Sequence, residues 1–224
     1  MRNAIFTAAL CATAPLAAQP VTVIVFDASG SMWNRLEGDL SRIEVARDVM
    51  GNYFVDRDPD APYAIVAYGH NRRGDCRDIE VVTPMGRHIG AGQANRLASL
   101  IPQGMTPLTD ALRVAREQIP DTAEAADIVL ITDGLETCGG DPCALATQFA
   151  REGIALRAHV VGFGMAPGEV GALSCLPEQT GGLLLEAATG AELAAALAQV
   201  TPAEPVAVTV EMSLFATSAE TGAQ

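Results

Sequence analysis

Val21-Thr22-Val23-Ile24-Val25-Phe26-Asp27-Ala28-Ser29-Gly30-Ser31 is the stretch whose reading decides the fold. Its first six residues form a nearly unbroken β-branched run, the pattern of a strand buried on both faces, as in a parallel sheet. The run ends on an aspartate in a Gly-containing turn that carries two serines spaced by two. Further on, Ser41-Arg42-Ile43-Glu44 is a capping box, and it opens a helix with Ile43, Ala46, Val49, Met50 and Phe54 on one face.

The same alternation continues outward. Strands are expected over Ala64 to Tyr68 and Asp78 to Thr83, joined by a short polar loop and therefore antiparallel. A helix over Ala91 to Ile101 and a loop from Pro102 to Thr106 lead into a helix from about Leu108 to Ile119. Asp127 to Thr132 is a further buried strand. A helix follows from Pro142, which suits a first helical turn, to Glu152, with Gly153 as its stop. Then come a strand at Ala155 to Phe163, a helix at Glu169 to Glu178 weakened by Pro177, an edge strand at Leu183 to Leu185, and a helix at Ala191 to Val200. Strands alternating with helices imply an α/β doubly wound (Rossmann-like), mostly parallel sheet with one antiparallel edge strand and helices on both faces.

This domain is expected to span residues 19–200. Arg2 and the small, apolar stretch Ala4 to Ala18 have the make-up of a signal peptide, too short to cross a bilayer, with a cut before Gln19. A buried N-terminal helix is the alternative. Thr201 to Pro205 looks like a linker. Beyond it Val206, Val208, Val210, Met212 and Leu214 alternate as a half-buried strand would, either docking on the domain edge or beginning a further β domain.

Formal net charge is −13, and all 14 basic residues are arginine. That balance argues against nucleic acid as a partner, because nucleic-acid binding needs a basic face. No transmembrane helix is expected. Cys11 leaves with the signal, so Cys76, Cys138, Cys143 and Cys175 remain. An even number in an exported chain points to two disulfides in a periplasmic or secreted protein.

Ligands of open α/β sheets bind outside the carboxyl ends of the strands. Asp27 and Asp133 each follow a strand there, Ser29 and Ser31 lie beside Asp27, and Thr106 ends the loop before a helix. All five offer oxygen, and none is His or Cys, which disfavours zinc. Mg²⁺ is hard and takes about six oxygens. Two carboxylates roughly balance its charge, and three hydroxyls add coordination without further charge. The ion is then held with an appetite for one more carboxylate.

Taken together, these elements resemble the von Willebrand factor A (VWA) family. Asp27-Ala28-Ser29-Gly30-Ser31 resembles the D-x-S-x-S of its metal-ion-dependent adhesion site. Gly104-Met105-Thr106-Pro107-Leu108 resembles its threonine loop, and Thr132-Asp133-Gly134 its T-D-G. The resemblance covers about residues 20 to 200, with the motifs in family order. It implies that Ser29, Ser31 and Thr106 touch Mg²⁺ or Mn²⁺ directly, while Asp27 and Asp133 often act through water. Tyr68-Gly69-His70, Cys76-Arg77-Asp78-Ile79-Glu80, the segment Glu136 to Cys143, and Thr180-Gly181-Gly182 resemble a bacterial exported subset, with Pro177 departing from the usual helix former there.

The expected function is an exported module that docks an acidic group of a protein partner through the metal. Two other readings compete. A phosphatase using Asp27 as nucleophile would want a second acid where Ser29 stands, and a lysine that the chain lacks. A structural scaffold would use the metal only for stability. No activated nucleophile is legible, since no G-x-S-x-G elbow or phosphate-binding G-x-x-x-x-G-K-S is present, so the chain is expected not to be an enzyme. Trp33 is expected to pack over its loop and His70 to hydrogen bond at a strand end.

Four cysteines allow three pairings. The short, glycine-rich spacing of Cys138 and Cys143 favours a local bridge, leaving Cys76 to Cys175. The rival pairs Cys76 with Cys138 and Cys143 with Cys175.

Overall fold

The computed structural model describes residues 20–152 and 154–200. The expected signal segment, the Gly153 helix stop and the alternating tail lie outside the described residues. Six strands form one sheet: β1 (Val21–Asp27), β4 (Tyr63–Tyr68), β5 (Ile79–Gly86), β6 (Ala125–Thr132), β7 (Ala155–Phe163) and β8 (Leu184–Ala187). The small β2 (Arg35–Glu37) and β3 (Leu40–Ser41) form a separate hairpin. The order in the main sheet is β5-β4-β1-β6-β7-β8, parallel throughout except for β5, which pairs antiparallel with β4 at one edge. The doubly wound expectation therefore holds, with its antiparallel edge strand.

Strand β1 is flanked by β4 and β6, and every one of its residues is buried. Its alternation feeds two cores. Ile24 and Phe26 pack with α1 (Arg42–Asp56), α2 (Gly90–Ala98) and α6 (Gly190–Val200) through Ile43, Met50, Leu97 and Leu193. Val21, Val23 and Val25 pack on the other face with α3 (Leu108–Glu117), α4 (Pro142–Phe149) and α5 (Cys175–Thr180) through Leu112, Leu145 and Leu176. A strand sandwiched in this way must be apolar on both sides, which is why its sequence shows no polar alternation.

The Ser41 capping box forms as read: the Ser41 N–H donates to Glu44 Oε2 at 2.8 Å, and both halves of the box are present. Two local readings need correction. The expected helix at 169–178 is a 3₁₀ turn, Glu169–Leu173, followed by the separate α5. Pro177 is the third residue of α5, where the first-turn N–H it lacks has no intrahelical partner to lose. The β2–β3 hairpin was not anticipated. Its turn is Gly38-Asp39, with Gly38 at φ 55°, and a Gly-Asp pair between short runs is a recognised hairpin signal.

The favoured cysteine pairing is also overturned. The bridges are Cys76–Cys138 and Cys143–Cys175, with Cα separations of 5.6 and 5.4 Å. The Gly139-Gly140 segment is not a free turn able to fold Cys138 back on Cys143. Glu136 anchors it to the start of α3, its Oε2 accepting from the Thr109 N–H and hydroxyl at 2.8 and 2.9 Å. Gly140 lies so close to Thr109 that a Cβ there would sit 2.3 Å from Thr109 Oγ1. Cys143 and Cys175 belong instead to α4 and α5, which share one face of the sheet. Among the described residues no helix is long and apolar enough to cross a membrane.

Proteolysis of unreduced protein should release Cys76 linked to Cys138 and Cys143 linked to Cys175, read by peptide mass spectrometry. Replacing Cys143 and Cys175 together by alanine should lower stability by about 2–4 kcal/mol in denaturant titration.

Candidate metal centre

Five oxygen-bearing residues were expected to meet at the carboxyl ends of β1 and β6, and four of them join in one hydrogen-bonded cluster. These two strands are neighbours at the point where the strand order reverses, the crevice in which such sheets bind ligands. Asp27, the last residue of β1, is fully buried. Its Oδ1 accepts from the Ser29 N–H at 2.7 Å, which closes the turn. Its Oδ2 accepts from the Thr132 hydroxyl at 2.8 Å and the Asp133 N–H at 3.3 Å, which ties that turn to the end of β6. The Ser29 and Ser31 hydroxyl oxygens are 3.1 Å apart, and Ser31 Oγ donates to Asp133 Oδ1 at 2.6 Å.

Thr106 is held alongside by backbone contacts. Gly104 bridges in parallel to Ser29, and the Gly30 N–H donates to the Gly104 carbonyl at 3.0 Å. Thr106 is buried, its N–H donating to Thr137 Oγ1 at 2.8 Å and its carbonyl accepting from the Thr137 N–H at 3.0 Å. The threonine loop can approach this closely because Gly69, at φ 75°, has no side chain. A Cβ there would lie 2.7 Å from both Met105 O and Ser29 Cα.

Sequence reading missed two residues that shape the cluster. Tyr68 donates its buried hydroxyl to Thr132 Oγ1 at 3.1 Å, which places Thr132 between the phenol and Asp27. Burial, with Asp27 nearby, holds that phenol well above its usual range. Arg42 donates from Nη1 to Asp133 Oδ2 at 2.8 Å. Nothing in the sequence marks this arginine apart from its place in the capping box. His70 falls where expected, whereas Trp33 is held to the threonine loop and not packed over its own. His70 is buried, with Nε2 3.0 Å from Glu80 Oε2. Trp33 donates Nε1–H to the Pro102 carbonyl at 2.8 Å, and its ring remains half exposed beside the threonine loop.

Electrostatically the cluster is short of positive charge. Burial, and then the nearby Asp27 carboxylate, push the Asp133 carboxyl up to about 6, against the opposing pull of Ser31 and Arg42. Among the described residues no group of three or more His, Cys, Asp or Glu side chains could hold a metal ion; the oxygens gathered here are those of two carboxylates and hydroxyls. Such a set of hard oxygens fits Mg²⁺ or Mn²⁺ and does not fit zinc.

Residues 22–136 match the von Willebrand factor type A domain model, and the chain belongs to that family. The uncharacterized protein YwmD of Bacillus subtilis (strain 168) is 28% identical over 149 residues, covering 62% of this chain and 66% of its own length, just under two thirds. A von Willebrand factor type A structure from Catenulispora acidiphila aligns with a TM-score of 0.64 at 23% identity, over 82% of this chain and 42% of that one. The vWF domain of the type V pili tip protein Mfa5 from Porphyromonas gingivalis aligns at 0.59 and 15% identity, over 85% of this chain and 99% of that one. At such identities the two structures speak for the fold alone.

The raised Asp133 carboxyl has a definite pH signature. Between about pH 4 and 6 the native state keeps a proton that the unfolded chain has lost, so this group's contribution to stability falls as pH rises through that window. In the presence of a chelator, the stability of wild type relative to Asp133→Asn should therefore decline by on the order of 2 kcal/mol from pH 4 to 6. A flat difference across denaturation curves would contradict this assignment.

Proposed function

We propose that this VWA domain is a metal-dependent protein-binding module that works outside the cytoplasm. Ser29, Ser31 and Thr106 would hold Mg²⁺ or Mn²⁺ through their hydroxyls, with Asp27 and Asp133 balancing the charge directly or through water. The metal would supply a Lewis-acidic position able to take a carboxylate from a protein partner. The observation that carries this reading is the Ser29–Ser31–Asp133 chain of contacts at 3.1 and 2.6 Å beside the buried Asp27. It brings hydroxyls and carboxylates from two strand ends to one place, with a carboxyl whose raised proton affinity a cation would relieve.

A binding role rather than catalysis is supported by where the three histidines lie. His70 is engaged with Glu80, His88 lies 2.8 Å from the Pro84 carbonyl, and His159 contacts Asp127 and the Leu183 N–H. None of these hydrogen bonds joins an imidazole to Ser29 or Ser31, the pairing that nucleophilic catalysis would use. A periplasmic or secreted location is supported by the two disulfides, which persist in oxidising compartments.

Calorimetry should show Mg²⁺ or Mn²⁺ binding to wild type at or below millimolar ion. Asp27→Ala and Thr106→Ala should each abolish it while the circular dichroism spectrum stays that of a folded α/β domain. Absence of divalent binding to wild type would refute the metal centre. The purified domain should not hydrolyse phosphate esters, peptides or acyl esters, and metal-dependent turnover that vanishes in Asp27→Asn would replace the binding reading with an enzymatic one.

A further inference from the structure

Arg42 stands where a helix would not choose a cation. It is the first residue of α1, and a positive charge in the first turn opposes the helix macrodipole. Its guanidinium is mostly buried, with 17% side-chain exposure, and its Nε has no hydrogen-bond partner. An unpaired buried donor is unfavourable in itself. The fold nevertheless makes room for it. Gly164 takes a left-handed conformation at φ 66° beside it, and a Cβ there would lie 2.7 Å from Arg42 Nε and 2.8 Å from Leu36 Cδ1. What the side chain gains is Asp133 Oδ2, at 2.8 Å.

The geometry divides the Asp133 carboxylate between two sides. Oδ2 faces Arg42, and Oδ1 faces Ser31. We propose that Arg42 is a built-in counter-cation that sets the site's preference: it weakens the hold on the divalent metal and strengthens the loaded site's hold on an external carboxylate. This rests on the metal-centre reading above. Two carboxylates would neutralise a divalent ion, and the guanidinium then leaves one positive charge uncompensated. A monoanionic carboxylate from a partner restores neutrality. Without Arg42 the loaded site is already neutral and has less call for an anion. Arg42 is thus a positioning and charge-setting residue for the ligand, and need not touch the metal.

The test compares wild type, Arg42→Gln and Arg42→Lys. Mn²⁺ affinity is measured by calorimetry. Acetate binding to the Mn²⁺-loaded protein is read from loss of water-proton relaxation enhancement, against sodium chloride at equal ionic strength. Arg42→Gln should bind Mn²⁺ about tenfold more tightly and acetate about tenfold more weakly, as expected for loss of one nearby like charge. Arg42→Lys should restore wild-type behaviour in both. A purely structural arginine would weaken both together on removal, and that result, or no change in either, would overturn the proposal. If Arg42→Gln does not fold, Arg42→Lys alone decides: it must keep both affinities within a few-fold of wild type. Wild type that binds no Mn²⁺ at all would instead remove the metal-centre reading itself.

Discussion

The Asp27 carboxylate is the interaction from which the upper end of the molecule is built. One oxygen shapes the turn that carries Ser29 and Ser31, and the other reaches across to Thr132 and Asp133 at the end of the neighbouring strand. A fully buried carboxylate is stable only if such partners surround it. Tyr68 extends the network from the strand on the other side, because β4 and β6 flank β1. The cluster is therefore fixed by three adjacent strand ends, and the loops are fitted to it. The threonine loop, pinned through Gly104 and Thr137, is the part added from outside the sheet.

Much of this was legible in the sequence because it depends on short-range chemistry. The β-branched run before Asp27 announced a strand covered on both faces, and the capping box at Ser41 marked the start of α1. The mostly parallel sheet, with its one antiparallel edge strand, followed from alternating strands and helices. Asp27, Ser29 and Ser31 stood out as candidates for the same reason, D-x-S-x-S being a local turn pattern, while Thr106 and Asp133 came from two separate short segments. What stayed hidden depends on distance. Arg42 meets Asp133 across 91 residues, and Tyr68 meets Thr132 across 64. Neither pair leaves a trace in spacing. The disulfide pairing failed likewise. Cys138 and Cys143 are close in sequence, but Glu136 and Thr109 hold the glycines between them against α3, so each cysteine turns to a different neighbour.

The two bridges give the site an asymmetric frame. Cys76–Cys138 joins the loop between β4 and β5 to the segment after Asp133, and Cys143–Cys175 joins α4 to α5. All of these elements belong to the threonine-loop side or to the α3–α5 face. The opposite side, with Arg42 and the β2–β3 hairpin, is joined by noncovalent contacts such as Glu37 Oε1 accepting from the Gly190 N–H at 2.6 Å. Constraint of the unfolded chain by disulfides thus acts on one half of the crown, and on the other half packing must suffice.

Strand β1 carries a mechanical consequence. It begins at Val21, at the end of the sheet away from the cluster, and ends at Asp27 within it. Six parallel register pairs join it to β4 on one side, and six join it to β6 on the other. A pull applied to β1 at Asp27 and resisted by β4 and β6 runs along the strand axis, so it loads both ladders in shear. Their bonds must yield together; none can be peeled open singly from an end. A tether anchored through this strand would bear tension along the stiffest direction the sheet offers.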